Sequence, residues 1–581
     1  MEKYYTNEIN VQIVISLLKA HGIRKIVASP GTTNMTFVAS VQQDPFFQMY
    51  SSVDERSAAY IACGLAAESK EPVVLSCTGA TASRNYFPGL TEAYYRKLPI
   101  LALTALQSPS KVGHHIAQVI DRSNPPKDAV KYSVTLPIVK DNDDLWDCEI
   151  KVNKAILELK RHGGGPVHIN LPTTYSRDYS VKELPQYRVI QRITPFDGFP
   201  EIPAHSKIGI FIGSHLVCSE GLTKSIEEFC NSHDAVVFCD HTSNYHGKNS
   251  ILFSLAGGQH YFDNEPLKPD ILIHIGEITG DYYTTRIGSN EVWRVNEDGE
   301  IRDTFKKLGY VFEMPEQFFF EKYLNKTISS DNSYFAACQS YLNGIKNRIP
   351  ELPFSNIWMA SKMAQRIPDG SIIHFGILNS LRSWNFFELP DSVTAFSNVG
   401  GFGIDGDVSS MIGASLANKN KLYFGVVGDL AFFYDMNVIG NRHVGNNIRI
   451  LLINNGKGTE FRQYNHVASQ FEDDADEFIA AAGHFGNQSR ELVKNYAQNL
   501  GFEYFAADNK KDFESAYERF LTPEITEKPM LFEVFTNDFD ESKALEMILS
   551  IEESLKGKTK ELAKQMLGQK GIKTLKKIMG K

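Results

Sequence analysis

A chain of 581 residues, 42% hydrophobic and 22% charged, has ordinary globular composition and length for about three or four domains. Its formal net charge of −9 excludes the basic footprint of a nucleic-acid binder, so small-molecule chemistry is the better expectation. The seven cysteines are scattered, odd in number and without a C-x-x-C pair, which argues against a zinc knuckle or a disulfide scaffold and for reduced thiols of a cytoplasmic protein.

The start, MEKYYTNEINVQIVISLLKAHGI, is amphipathic and broken by charge, without the apolar run of a signal peptide or membrane span. Next come RKIVASPG, EPVVLSCTG, KLPILALTA and GPVHINLP, apolar runs without polar alternation, separated by helix-length segments. Such runs indicate parallel strands buried on both faces, and a first α/β domain is expected over residues 1–185. After a polar, proline-containing linker, KIGIFIGS, AVVFCDH, DILIHIGE and EVWRVNED predict a central α/β domain over 186–345. SIIHFGILNS, SVTAFSNVG, KLYFGVVGD, IRILLINNG and PMLFEVFTND predict a third over 346–540. No short repeat is visible, yet the expected fold is three tandem doubly wound parallel-sheet α/β domains, with ligands outside the carboxyl ends of the strands. A basic helical tail is expected over 541–581. From Ser554 onward nine lysines stand against the single acid Glu561, and Leu562, Met566, Ile572, Leu575 and Met579 recur at roughly helical spacing. Weak contact with an anionic membrane surface and a solvated, frayed tail are both open for it.

The third domain carries the most specific signal. In GVVGDLAFFYDMN, Asp429 follows a strand and Gly428; in ILLINNGKG, 26 positions on, Asn455 ends the next buried strand. A strand ending at Gly428 with a helix starting at Leu430 offers backbone N–H groups to an anion such as a phosphate. A carboxylate beside that phosphate calls for a cation between them, and the oxygens of Asp429 and Asn455 suit Mg2+. Taken alone, Asp429 reads equally well as a helix cap and the asparagines as a turn. The glycine before, the helix after and NNGKG at the next strand end favour a metal–diphosphate site.

These residues resemble the GDG-x(about 25)-N signature of thiamin-diphosphate (ThDP) enzymes, and YSSVDERSAAYIACGLA in the first domain resembles the segment that supplies their glutamate. The resemblance covers the chain to about residue 540, in the order pyrimidine-binding, central and diphosphate-binding domain. It is strongest to the SEPHCHC-synthase branch (2-succinyl-5-enolpyruvyl-6-hydroxy-3-cyclohexene-1-carboxylate synthase), through SPGTTN, DERSAAYIACGLA, SNVGGFGIDG and GDLAFFYDMN. It implies ThDP and Mg2+ as cofactors, bound by Gly428, Asp429, Leu430 and Asn455, with Asp429, Asn455 and the carbonyl of Lys457 as metal ligands. Glu55 would hydrogen-bond the aminopyrimidine ring and share its proton, a task that calls for partial desolvation; a lone glutamate at a helix start reads otherwise as a solvated surface residue. Ile404 would sit under the bend of the cofactor; by itself it is a core isoleucine. Because subunits share active sites in this family, a homodimer or homotetramer is expected. GFGIDG, Gly401 to Gly406, also satisfies the dinucleotide pattern G-x-G-x-x-G, but Asp429 is the only acidic residue near the required distance and it stands before a helix. The central domain shows no flavin signature.

The implied activity is decarboxylation of a 2-oxo acid with transfer of an acyl-anion equivalent to an acceptor. The synthase family has substrate-holding arginines in SPGSR and NRG, where this chain has Thr33, after Thr32, and Val399. Loss of two such contacts is not conservative and predicts a changed acceptor in place of isochorismate. Arg382, Arg462 and Lys457 are candidates for replacing the charge. His114 and His115 resemble the tandem histidines of pyruvate-decarboxylase-type enzymes, and Gln118 keeps the place of a substrate-contacting glutamine; two ordinary loop histidines are the alternative. Three other readings stay open: a simple non-oxidative decarboxylase, SEPHCHC synthase itself, and a catalytically silent binding relative.

Overall fold

The computed structural model describes residues 4–324 and 332–552. Two compact units are present, one of residues 1–197 with 299–311, the other of residues 198–298 and those from 312 onward. The unbroken apolar runs become parallel strands, as expected for strands covered by helices on both faces.

Unit 1 holds β1 (Lys25–Ala28), β2 (Gln48–Ser51), β3 (Val73–Cys77), β4 (Ile100–Leu106), β5 (Tyr132–Thr135) and β6 (Val167–Pro172), all parallel in the order β2-β1-β3-β4-β6-β5. One sheet face packs on helices Ile9–Ala20 and Asn142–Glu158 through Val11, Ile15, Leu18, Val152 and Ile156. The other packs on helices Glu55–Ser69 and Phe87–Arg96 through Ala58, Ala59, Ala62, Leu90 and Ala93. The first of these starts sharply because the Asp54 side chain accepts from the N–H of Arg56 at 3.0 Å, and it ends at Lys70 in the left-handed region. Its buried face is nearly all alanine, which lets the neighbouring helix come close. A Cβ on Gly89 would lie 2.4 Å from the Ala59 Cβ.

Unit 2 contains two parallel arrays. The first has β7 (Ile208–Ile212), β8 (Ala235–Cys239), β9 (Ser250–Leu252), β10 (Ile271–Ile275) and β11 (Glu291–Val295) in the order β9-β8-β7-β10-β11. Its strand order reverses between β7 and β10, the usual entry for a dinucleotide. There the segments that follow the two strands meet: the N–H of Glu277 donates to the carbonyl of Ser214 at 2.7 Å, and a Cβ on Gly213 would lie 2.0 Å from the Glu277 carbonyl oxygen.

The other array has β12 (Ile372–Phe375), β13 (Thr394–Ser397), β14 (Tyr423–Gly428), β15 (Ile448–Asn454), β16 (Glu503–Ala507) and β17 (Met530–Phe535), ordered β13-β12-β14-β15-β17-β16. That is the order of the unit 1 sheet, strand for strand, although the sequence shows no repeat. The three parallel-sheet α/β layers expected from the sequence are all present. After β17, helix Asp538–Leu549 buries Ala544, Leu545, Ile548 and Leu549, so ordered structure continues past residue 540. The basic tail expected from Ser554 onward lies outside the described residues. No described helix is long and apolar enough to cross a membrane.

Candidate active site

The strand order of the last sheet reverses between β12 and β14, and ligands of such sheets bind outside the strand ends at that point. Asp429 stands there, directly after β14 and at the start of helix Asp429–Asp435, and is only 4% exposed. Its Oδ1 accepts from the N–H of Leu430 at 2.7 Å; its Oδ2 accepts from the N–H groups of Asn455 at 3.0 Å and Gly456 at 2.6 Å. The carboxylate thus ties the end of β14 to the end of β15. The N–H of Leu430, expected to face an anion, is taken by Asp429 itself. Burial outweighs these three donors and pushes the Asp429 carboxyl up to about 6. Asn455 donates from Nδ2 to Thr459 Oγ1 at 3.2 Å, whereas its Oδ1 is buried without a partner.

Asp429, Asn455, Lys457 and Ile404 line one cavity of about 170 Å³, together with Gly376 at the end of β12 and Glu541. A side chain at Gly428 would meet nothing within 4 Å, so the space beside this strand end is open. The loop Gly401–Gly406, which matched a dinucleotide pattern, connects β13 to helix Asp407–Ala417 and brings Ile404 to the cavity wall. Among the described residues no group of three or more His, Cys, Asp and Glu could hold a metal ion. A buried carboxylate with an unpartnered amide oxygen nearby fits instead a hard cation that completes its shell with phosphate oxygens and water.

The candidates for replacement positive charge are engaged elsewhere. Arg382, buried, donates from Nη2 to Glu460 Oε1 at 2.9 Å. The Lys457 ammonium donates to Asp476 at 2.7 Å and Asp538 at 3.3 Å; Arg462 reaches Asp538 at 3.3 Å, Asp473 at 2.9 Å and Asp476 at 3.5 Å. Their neighbouring carboxylates hold the pKa of Lys457 and Arg462 above the usual values. Val399 is buried, with its Cγ1 2.9 Å from where a Cβ on Gly280 would lie. In this structure the three cations therefore stand beside acids, and Val399 lies in buried space.

In unit 1, Glu55 is the first residue of its helix, half-buried, and its Oε2 accepts from Asn85 Nδ2 at 3.1 Å. Thr32 is exposed, but Thr33 is only 2% exposed and its hydroxyl is engaged: it hydrogen-bonds the Thr78 hydroxyl and accepts from the N–H of Gly79 at 3.1 Å. The loops after β1 and β3 are thereby joined. His114, His115 and Gln118 are exposed on the loop after β4. His115 and Gln118 hold positive φ of 54° and 64°, uncommon for such side chains. The Gln118 carbonyl approaches Gly79 so closely that a Cβ there would lie 3.1 Å away.

Sequence reasoning passed over Asn85 and Thr78, the partners of Glu55 and Thr33, and Glu460, Asp476 and Asp538, which neutralise the three cations. The acids EDDADE (472–477) and NDFD (537–540) were visible as unpaired charge, a signal that nearby cations would be taken.

The family model described as thiamine pyrophosphate enzyme, N-terminal TPP binding domain, matches residues 10–124. A solved structure, the thiamine diphosphate-dependent 4-hydroxybenzoylformate decarboxylase of Rhodococcus jostii, is similar at TM-score 0.39 and 16% identity, covering 91% of this chain and 99% of its own. The 2-succinyl-5-enolpyruvyl-6-hydroxy-3-cyclohexene-1-carboxylate synthase of Bacteroides fragilis is 30% identical over 561 residues, 93% of this chain and 98% of the relative. That of Phocaeicola vulgatus is 31% identical over 553 residues, 92% and 96%. With a thiamin-binding first domain and full-length similarity of this kind, the chain belongs to the 2-succinyl-5-enolpyruvyl-6-hydroxy-3-cyclohexene-1-carboxylate synthase family of thiamin-diphosphate-dependent enzymes.

Proposed function

We propose that this enzyme uses ThDP and Mg2+ to decarboxylate a 2-oxo acid and transfers the remaining acyl unit to an acceptor different from that of the synthases. Bound ThDP would supply the electron sink for decarboxylation. The Asp429 carboxylate, Asn455 Oδ1 and the Lys457 carbonyl would hold Mg2+, and the unpartnered Oδ1 is what makes the site short of one cation. Ile404 would support the cofactor from the cavity wall, and Glu55 would hold and return a proton at the pyrimidine ring.

The observation that carries the changed acceptor is the fate of Thr33 and Val399. Both stand where the synthase pattern has arginines, and both are buried, Thr33 in a closed hydrogen-bond set. Arg382, Lys457 and Arg462 are paired with acids, so they make no substitute. A second reading, plain decarboxylation, is favoured by the exposed His114 and His115 at the strand ends, where they could relay a proton.

The complete site would form between copies, with Glu55 from one subunit and Asp429 from its partner. Val53, just before the Glu55 helix and 82% exposed, and the exposed Tyr60 and Ile61 on it give an apolar surface that suits such a contact. The test is CO2 release from a panel of 2-oxo acids, with ThDP and Mg2+ present, with and without aldehyde acceptors or isochorismate. Release confined to 2-oxoglutarate plus isochorismate would sink the changed-acceptor reading; release without any acceptor would favour plain decarboxylation.

A further inference from the structure

Arg122, on the loop after β4, is 6% exposed. Its Nη2 donates to the carbonyl of Ala105 at 2.9 Å, but Nε and Nη1 have no hydrogen-bond partner. It lines a cavity of about 10 Å³ together with Arg84, Ser83, Tyr86, Thr104 and His168. Arg84 donates from Nη2 to the backbone carbonyl of Asp121 at 2.9 Å, and neither arginine has an ion pair among the described residues. The other groups supply no counter-charge. His168 stays neutral, its pKa pushed down to about 3 by burial and by the two arginines, with its ring nitrogens on Thr104 at 2.7 Å and Ser133 at 3.0 Å. The nearby Cys77 thiol is pushed up to about 12 by burial. The Tyr86 hydroxyl is buried without a hydrogen-bond partner.

We propose that Arg122 and Arg84 form a binding site for a small monovalent anion, either a halide ion or the end of a carboxylate. A buried guanidinium with two idle nitrogens and no counter-ion is costly, and an anion at those nitrogens removes both costs at once. Space sets the class: a cavity of about 10 Å³ takes about one water-sized occupant, which suits a halide ion or a single carboxylate oxygen with the rest of its group toward Arg84, and leaves no room for a whole tetrahedral anion. Arg84, exposed, forms the outer edge, and the adjoining Asn85 is the residue that bonds Glu55.

The experiment is thermal unfolding of the full chain in sodium chloride, sodium formate and sodium methanesulfonate at matched ionic strength, with ³⁵Cl line broadening as a direct readout of halide. Chloride or formate should raise Tm relative to the bulky methanesulfonate, as expected for a ligand bound only by the folded state. A chloride-only response assigns a halide site, and a formate response assigns a carboxylate site. Arg122→Gln should abolish the difference between anions. Should that variant fail to fold, Arg84→Gln, at an exposed position, should weaken the anion about tenfold, the loss expected for one charge-assisted contact. Equal Tm in the three salts, or an anion response unchanged in both variants, would overturn the proposal.

Discussion

In the proposed mechanism two carboxylates carry the chemistry, and their surroundings differ. Glu55 is half-buried with one oxygen on Asn85, free to exchange a proton with a partner that displaces the amide. Glu55→Gln should keep ThDP affinity near wild type and slow deuterium exchange at the cofactor C2 by about 10²–10⁴-fold, the usual worth of a positioned acid or base; an unchanged exchange rate would remove Glu55 from the mechanism. Asp429 is held by three backbone N–H groups and is nearly sealed from water. Asp429→Ala removes the proposed cation ligand and the tie between β14 and β15. ThDP affinity by calorimetry should fall by at least the ~100-fold that loss of an outer metal-site partner can cost, and its Mg2+ dependence should vanish. Wild-type affinity in the alanine variant would refute the assignment.

Close packing sets the helix that presents Glu55, and a buried acid anchors helix Asp538–Leu549. Helix Glu55–Ser69 meets helix Phe87–Arg96 at Gly89, where a Cβ would fall 2.4 Å from Ala59 Cβ and 2.9 Å from the Ala59 carbonyl carbon. Since backbone as well as side chain stands in the way, Gly89→Ala should destabilise unit 1 by about 1–3 kcal/mol, measured by denaturant unfolding, and displace Glu55. In unit 2 Glu541, buried on helix Asp538–Leu549, accepts from the N–H of Asn356 at 3.0 Å and from Thr536 Oγ1 at 2.8 Å. Burial raises its pKa from 4.5 to about 7. The folded state therefore holds a proton that the unfolded chain has released, and this contribution is present below pH 4.5 and lost as pH rises through about 7. Glu541→Gln, which stays neutral, should flatten the fall in Tm across that window. An identical pH profile would show that Glu541 titrates normally.

Two sheets of identical strand order bear Glu55 and Asp429, one each, and on the proposed function each supplies half of a site. If each site takes its halves from different copies, Glu55→Gln and Asp429→Ala are inactive alone, yet a mixed dimer contains one site built wholly from intact residues. Co-refolding the two variants should restore a fraction of wild-type CO2 release, up to about half per mixed dimer, as the symmetry of a two-fold interface requires. No recovery with mixed dimers confirmed by mass spectrometry would show that each site belongs to one copy.

The strands, the sheet class and the Asp429–Asn455 pair were legible because they depend on short-range patterns: continuous apolar runs at strand length, a glycine before an acid, and a fixed spacing between strand ends. Partnership is not local. Arg382 meets Glu460 across 78 positions and Lys457 meets Asp538 across 81, so cations that looked available in the chain are already neutralised in the fold. Thr33 lost its freedom in the same way, to Thr78 across 45 positions. The shared topology of the two sheets was hidden because sheet order is decided by packing, which constrains apolar volume and leaves residue identity free. Sequence alone determined which residues could do chemistry; the tertiary structure decided which remain unpaired to do it, since hydrogen bonding and burial depend on neighbours in space.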